Sequence, residues 1–240
     1  MSIEIRMMIT NNYFDRKKID PEQAAYWFFR LNGCSPIVNF VIHPDIGGQS
    51  QRTDVDILAV RFLHRTELWT SGKPMQDHTV FQSDKWIDIA MAEVKNGQCR
   101  LNGPWTHPPD ENLHRVLYSI GAFEIDQVPI VALSLYQNGQ FCDDQYRVRL
   151  FAIGDRTNSS LLSGAVQLVW DDVLKFIHER FNRYLVQKAH HNQRDKRGQR
   201  LYRTAISTTE DEFTTKVKEA MYRFVEDRNR PVTNKIKGNA

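Results

Sequence analysis

Cysteines are few in this chain and stand in none of the spacings that build a site. The 240 residues include three cysteines, Cys34, Cys99 and Cys142, and no Cys-x-x-Cys pair. An odd, scattered set argues against a disulfide framework and against a structural zinc site. Of the eight histidines, His190 and His191 are adjacent and the others are dispersed, and no His-Glu-x-x-His motif or similar pair of ligands occurs.

Long hydrophobic runs are missing as well. Every apolar run has the length of a strand, so the sequence predicts no transmembrane helix and no membrane partner. Residues 1–6 lack the apolar block of a signal peptide, which makes the cytoplasm the expected location. Neither a P-loop nor a Gly-x-Ser-x-Gly elbow occurs, which disfavours P-loop NTPases and serine hydrolases.

The overall composition is that of an ordinary globular protein. Hydrophobic residues make up 41% of the chain and charged residues 25%, with a net charge of +3. A chain of this length predicts one large domain, or one domain with an appendage, and can bury a substantial core. The mildly basic balance is compatible with a polyanion as partner but does not require one.

Periodicity and capping signals predict an alternation of helices and strands. In chain order the expected elements are a helix at 20–31, strands at 36–43, 53–60 and 87–94, a helix at 110–120, strands at 125–136 and 146–153, and helices at 171–188 and 209–227. Asp20 with Gln23, and Thr209 with Glu212, are capping-box pairs. Asn138-Gly139 predicts a hairpin turn. The order predicts an α/β fold with a mixed central sheet flanked by helices.

Charged residues stand at the ends of two strands that otherwise read as buried. Asp56 precedes the apolar run 57–60, and Glu93 and Lys95 close the run that begins at Ile87. An unpaired buried charge is costly, so such positions indicate a site. Because side chains alternate along a strand, Glu93 and Lys95 share one side, as do Asp54 and Asp56. Oxygen ligands of this kind suit Mg²⁺ or Mn²⁺.

The pattern resembles the PD-(D/E)XK nuclease family, which has a restriction-endonuclease-like core. That family shows a helix with a glutamate, a strand with an aspartate and a strand with Glu-x-Lys, here Glu22, Asp56 and Glu93-Val94-Lys95. The resemblance covers about residues 20–135. It departs from the family at Val55, where a proline often stands. The gap after Asp56 is also long, so residues 64–85 are interpreted as an insertion.

The resemblance implies a metal-dependent endonuclease that hydrolyses phosphodiester bonds in DNA. Asp56 and Glu93 would bind Mg²⁺ or Mn²⁺ with the backbone carbonyl of Val94, and Lys95 would assist the attacking water. Glu22 would complete a second metal site or hold a metal-bound water. Asp54 is a rival for the aspartate position. Two plainer explanations stay open: Glu22 suits the helix dipole, and Glu93 with Lys95 could form a surface ion pair of little consequence.

A basic segment follows the expected core at residues 188–203. It is the candidate for nucleic-acid contacts, with Lys188, Arg194, Lys196, Arg197, Arg200 and Arg203. Tyr202 is a candidate for base stacking, and Arg147 and Arg149 are further candidates for phosphate contacts. Solvated surface charge explains the segment about equally well.

The expected organisation is therefore a nuclease-like core at 1–187, the basic segment with a C-terminal helix at 188–227, and a disordered tail at 228–240. Double-strand cutting would favour a homodimer. Two alternatives stay open: a catalytically inactive nuclease-like module that binds nucleic acid or protein, and a nuclease that acts on RNA.

Overall fold

A mixed six-stranded sheet with helices on both faces forms the centre of the molecule. The structure, a computed structural model, describes residues 18–44, 52–82, 85–189 and 195–228. The strands are β1 (Ser35–Ile42), β2 (Thr53–Arg61), β3 (Ile87–Val94), β4 (Gln140–Cys142), β5 (Tyr146–Gly154) and β6 (Val166–Val169). The expected α/β class is confirmed.

Seven α-helices lie in the part of the chain that the structure describes. They are α1 (Pro21–Leu31), α2 (Asn112–Ile120), α3 (Val128–Asn138), α4 (Trp170–Arg183), α5 (Leu185–Lys188), α6 (Lys196–Ser207) and α7 (Glu210–Arg228). Short 3₁₀ turns are found at Trp69–Ser71, Thr79–Phe81, Gly103–Trp105 and Pro108–Asp110. None of the helices within the described ranges is long and apolar enough to cross a membrane.

The first three strands form an antiparallel meander, and the sheet then continues in parallel. The strand order is β1-β2-β3-β5-β4, with β6 also paired to β5. β3 runs parallel to β5 and β5 parallel to β6, whereas β4 is antiparallel to β5. The crossover from β3 to β5 carries α2 and α3. This order leaves the ends of β2 and β3 side by side.

Each face of the sheet has its own hydrophobic core. Ala90, Ala92 and Val94 of β3 join the first core, together with α1, α4, α6 and α7. Ile89 and Met91 join the second core, together with α2 and α3. The alternation follows from the pleat of the strand. Buried residues of α6 and α7 belong to the same core as α1 and α4, so the C-terminal helices pack on the sheet-bound helices.

Helix α1 begins as the sequence predicts. The Asp20 side chain accepts a 3.1 Å hydrogen bond from the backbone N–H of Glu22, and Pro21 follows the cap. The expected capping role of Gln23 is wrong. Its side chain donates to Asp195 and accepts from Arg197, each at 3.1 Å, and so links α1 to α6. A tertiary contact has replaced the local one.

The predicted strand within 125–136 is wrong, because this segment is helix α3. Pro129 stands in its first turn, where a missing N–H costs nothing. Val131, Ala132 and Leu135 are buried at helical spacing against the second core. The Asn138-Gly139 pair is a helix end rather than a hairpin: Gly139 has φ 79° and its N–H donates to the Leu135 carbonyl at 2.8 Å.

Two further capping predictions have different outcomes. Neither Asp171 nor Asp172 caps α4, since Val169 takes the cap position and both acids lie in the first turn. α4 also ends at Arg183 rather than continuing to 188. The capping box of Thr209 and Glu212 is confirmed by reciprocal hydrogen bonds of 3.2 and 3.3 Å. The expected disordered tail lies outside the described residues beyond Arg228.

The segment interpreted as an insertion, 64–85, is anchored in the fold. Asp77 is buried and forms ion pairs with Arg61 at 2.8 Å, Arg65 at 2.6 Å and Arg180 at 3.1 Å. Phe81 is fully buried and stacks parallel to Phe151 of β5. The described part of this segment is therefore integrated into the first face of the sheet.

Candidate functional site

The end of the β2–β3 ladder brings together Asp56, Glu93 and Lys95, the charged residues that the sequence singles out. Ile57 pairs with Ala92 in the antiparallel ladder, and Asp56 and Glu93 are the next residues along the two strands. Beyond that pair, a side-chain hydrogen bond replaces the backbone hydrogen bonds between the two strands. The backbone N–H of Val94 donates to Asp56 Oδ2 at 2.7 Å. The aspartate strand is thus tied to the Glu-x-Lys strand.

Strand β2 is irregular at Asp56. On the neighbouring strand β1, Asn39 has φ 53°, and it lies between the ladder pairs Val38–Ile57 and Phe40–Val55. Val55 joins the second core and Ile57 the first. Leu58 lies in the second core, on the same side of the sheet as Val55. In a regular strand, residues three positions apart would lie on opposite sides. The strict alternation assumed for Asp54 and Asp56 is therefore interrupted at Asp56.

Glu93 is almost completely buried, with 2% of its surface exposed. Its Oε2 accepts a 2.7 Å hydrogen bond from the indole N–H of Trp105. Its Oε1 accepts from the Asn102 amide and from the Lys95 ammonium group. The Lys95–Glu93 pair is therefore not a surface ion pair, and the charged residues at the end of β3 are held by several donors.

The backbone of Lys95 is also fixed on both sides. Its N–H donates to the Ile153 carbonyl of β5 at 2.8 Å. Its carbonyl accepts from the indole N–H of Trp170 at 3.0 Å. These bonds place Lys95 immediately beyond the sheet, where its side chain reaches the Glu93 carboxylate.

Two carboxyl groups at this end of the sheet have raised pKa values. Burial, followed by repulsion from Asp20 and Asp56, raises the pKa of Glu22 to about 7, and Arg228 opposes the shift. Burial and repulsion from Glu93 raise the pKa of Asp56 to about 6, against the Val94 hydrogen bond and Lys95. The carboxylates of α1, β2 and β3 therefore repel one another, and a bound cation would relieve that repulsion.

The carboxylate oxygens of Asp56 and Glu93 are ligands of the type that a hard divalent cation prefers. No group of three or more His, Cys, Asp or Glu side chains suited to a metal ion occurs among the described residues. Mg²⁺, however, usually keeps several waters and binds through one or two carboxylates together with substrate phosphate. Asp56 and Glu93 match that smaller requirement. Asp56 Oδ1 accepts no hydrogen bond from the described part of the chain, and is available as a ligand.

A cavity of about 680 Å³ lies between the N-terminal turn of α1, the end of β3 and the C-terminal part of α7. Glu22 lines it on one side, and Lys95, Arg100 and Arg228 contribute positive charge. Sequence reasoning did not single out Arg100, and it placed Arg228 only at the start of a basic, disordered tail, whereas Arg228 is the last residue of α7. It also missed Trp105 and Asn102, which act on Glu93 from a loop that has no periodic signal.

The basic segment lies beside α1 rather than on the sheet edge. Lys188 pairs with Glu67 at 3.2 Å, Arg197 donates to Gln23 at 3.1 Å, and Arg200 donates to the Lys18 carbonyl at 2.7 Å. Lys196, Arg197 and Arg203 are exposed on α6. Arg194 lies outside the described residues.

Three candidate nucleic-acid contacts are corrected by the structure. Tyr202 is 7% exposed and packs edge-on against Phe181, so its ring is not open to a base. Arg147 and Arg149 both bind Asp88, at 2.6 Å for Arg147 Nη2 and 3.1 Å for Arg149 Nε. The Asp88 carboxylate is buried on the inner strand β3 and needs these partners, which leaves both arginines with a structural role.

Comparisons with known proteins give no relative for this chain. No family model matches it, and neither the curated proteins nor the solved structures contain a significant match. Function is therefore argued from the site.

Proposed function

We propose that this chain is a metal-dependent endonuclease that hydrolyses phosphodiester bonds in DNA, with a site of the PD-(D/E)XK kind on a restriction-endonuclease-like core. The supporting observation is the convergence of Asp56, Glu93 and Lys95 at the adjoining ends of β2 and β3, tied by the bond from Val94 N–H to Asp56. Glu22, in the first turn of α1, is close enough to Asp56 for repulsion between the two carboxylates to raise the pKa of Glu22. Helix glutamate, strand aspartate and Glu-x-Lys follow one another along the chain in the order of the family resemblance, and the repulsion between Glu22 and Asp56 supports the proposal.

Asp56 and Glu93 would hold Mg²⁺ or Mn²⁺, with the Val94 carbonyl as a further oxygen ligand. The bound metal would stabilise negative charge on the scissile phosphate and lower the pKa of a coordinated water. Glu22 lines the cavity together with Val94 and Lys95 and would hold a water there. Asp54 lies two positions away on β2 and adds negative charge that raises the pKa of both Glu22 and Asp56.

Lys95 would act on the attacking water. Its ammonium group already donates to Glu93, and an ammonium group has three donors. One donor holds the lysine on the carboxylate, which leaves others to orient a water or to stabilise the charge that develops on the phosphate. The fixed backbone of Lys95 keeps this group close to the carboxylates during the reaction.

The cavity beside the site would receive the phosphate backbone. Arg100 and Arg228 are exposed at its margin, and guanidinium groups bind phosphate through paired N–H donors. Lys196, Arg197 and Arg203 are exposed on α6, which does not line the cavity, and would contact more distant phosphates. Contacts of this kind position nucleic acid without reading its sequence.

A second candidate function is nucleic-acid or protein binding without cleavage. The observation that favours it is the occupation of Glu93: both of its oxygens accept hydrogen bonds from protein donors. A binding module would keep its affinity without metal. An enzyme would need Asp56, Glu93 and Lys95 together.

Cleavage of plasmid DNA by the wild type and by Asp56→Asn tests the proposal. We expect nicking or linearisation with Mg²⁺ or Mn²⁺, none in EDTA, and at least a 100-fold loss in the variant, in line with the contribution of a positioned catalytic group. Asp126→Asn, an exposed acid in the turn before α3, serves as the control and should cut like the wild type. Salt-sensitive binding without cutting under any metal would favour the second candidate.

A further inference from the structure

The Glu93 carboxylate is held by one turn of the loop that follows β3. Trp105 closes the 3₁₀ turn Gly103–Trp105, and its backbone N–H donates to the Asn102 carbonyl at 3.0 Å. That backbone bond fixes the two residues relative to each other. Their side chains approach opposite oxygens of Glu93, Trp105 at Oε2 and Asn102 at Oε1.

The loop is itself anchored to the sheet. The N–H of Cys99 donates to the Arg156 carbonyl at 2.8 Å, and the Gly97 carbonyl accepts from Asp155 at 2.6 Å. The Trp105 ring is 3% exposed and belongs to the second core with Leu113. The indole N–H therefore has a fixed position relative to β3.

The three hydrogen-bond donors around Glu93 fix the orientation of its carboxylate. An indole N–H only donates, and an ionised carboxylate offers about four lone-pair positions. Trp105, Asn102 and Lys95 together use three of them on Glu93. The orientation of the carboxylate is thereby set, and one lone-pair position is left for a further partner. Ligands whose orientation is set in this way bind metal ions more tightly than mobile ones.

We propose that Trp105 and Asn102 are positioning residues that orient the Glu93 carboxylate for a divalent cation. This inference rests on the proposed function, because it assigns the cation to the same site. It extends the site beyond Asp56, Glu93 and Lys95 to a loop that the sequence motif does not include. Neither residue touches the substrate in this account; both act through Glu93.

Mn²⁺ binding to the full chain, measured by calorimetry and by electron paramagnetic resonance of the free ion, tests the inference apart from activity. Trp105→Phe keeps an aromatic ring and removes the donor. We expect its Mn²⁺ dissociation constant to rise by roughly 10- to 100-fold, the usual effect of losing a partner of a metal ligand. Trp69→Phe is the matched control, since Trp69 is 74% exposed, and should bind like the wild type.

A second variant, Asn102→Ala, distinguishes weaker metal binding from a folding defect. Asn102 is exposed, so Asn102→Ala should fold normally and should also weaken Mn²⁺ binding. In both variants the metal concentration needed for half-maximal cleavage should rise, and excess metal should restore most of the rate. A purely structural role would lower the melting temperature without moving the metal dependence.

The outcomes separate the two proposals. A wild type that binds Mn²⁺ and cuts DNA, with unchanged metal dependence in Trp105→Phe and Asn102→Ala, overturns the inference and leaves the proposed function standing. A wild type that neither binds Mn²⁺ nor cuts overturns both.

Discussion

The backbone N–H of Val94 donates to Asp56 Oδ2 at 2.7 Å, so that a side chain of β2 continues the ladder to β3 beyond the last strand pair. The bond fixes one oxygen of Asp56 on the backbone between Glu93 and Lys95. The other oxygen accepts no hydrogen bond from the described residues. Asp56 is half-buried and its second oxygen is open to a further partner, and this geometry beside Glu93 and Lys95 is the reason to assign Asp56 to a site.

Removing a carboxylate from the site should stabilise the metal-free protein at high pH. The pKa of Glu22 rises from 4.5 to about 7 on folding, because of burial and the charges of Asp20 and Asp56. The folded state therefore binds this proton more tightly than the unfolded state, and its free energy of unfolding falls as the pH rises from about 4.5 to about 7. We expect Glu22→Gln to be more stable than the wild type at pH 8 by about 1–2 kcal/mol, a figure discounted for solvent screening.

Urea unfolding in EDTA at pH 8 and pH 4.5 measures this difference. The advantage of Glu22→Gln should nearly vanish at the lower pH, where the wild-type carboxyl is protonated in the folded state and only half ionised in the unfolded state. Glu179→Gln, an exposed acid on α4, should show no such pH-dependent advantage. An equal advantage of Glu22→Gln at both pH values would mean that the ionised Glu22 carboxylate is not its source.

Metal binding should compete with protonation of the Asp56 carboxylate. If Asp56 binds the cation, its pKa of about 6 makes protons compete with metal below that value. Excess Mn²⁺ should raise the melting temperature of the wild type at pH 8 and have little effect at pH 5. Asp56→Asn should show a much smaller shift at pH 8. A shift of equal size at both pH values would place the bound metal elsewhere.

The anchor of the 64–85 segment should be critical for stability. Asp77 is the shared partner of Arg61, Arg65 and Arg180, and its side chain is only 5% exposed. Asp77→Asn would leave buried guanidinium groups without a counter-charge, which typically costs about 3–5 kcal/mol. Denaturant unfolding measures the loss. Asp171→Asn, which breaks the pair of an exposed carboxylate with Lys218, should cost less than about 1 kcal/mol.

DNA binding should depend on the arginines at the cavity. Each phosphate contact contributes about 0.9 to the slope of log K against log salt on duplex DNA. Arg100→Ala and Arg228→Ala should each weaken binding and reduce the slope by about one, as measured by fluorescence anisotropy in metal-free buffer. Arg183→Ala, at the exposed C-terminal end of α4, is the control. Unchanged slopes in Arg100→Ala and Arg228→Ala would mean that DNA binds to another surface, and α6 would be the next candidate.

Sequence patterns predict the strands and the helix around the candidate site better than the elements of the rest of the fold. The charges at Asp56 and Glu93 are visible because buried apolar runs rarely end in charge, and the structure places the two residues opposite each other where the β2–β3 ladder ends. The helix at 128–138 was misread as a strand because six apolar or small residues in succession give no clear period, and tertiary packing decided the outcome. Arg147 and Arg149 looked like free cations because their partner, Asp88, is distant in sequence. Trp105 and Asn102 could not be predicted, since only the folded loop brings them to Glu93.

Cleavage of DNA by the wild type and by Lys95→Ala, each with Mg²⁺, Mn²⁺ or EDTA, tests the central claim most directly. Lys216→Ala, an exposed lysine on α7, is the matched control. The account predicts metal-dependent cutting by the wild type and the control, and a loss of at least about 100-fold in Lys95→Ala with binding retained. Equal metal-dependent cutting by all three proteins would contradict the assignment of Lys95 and of the site at the ends of β2 and β3.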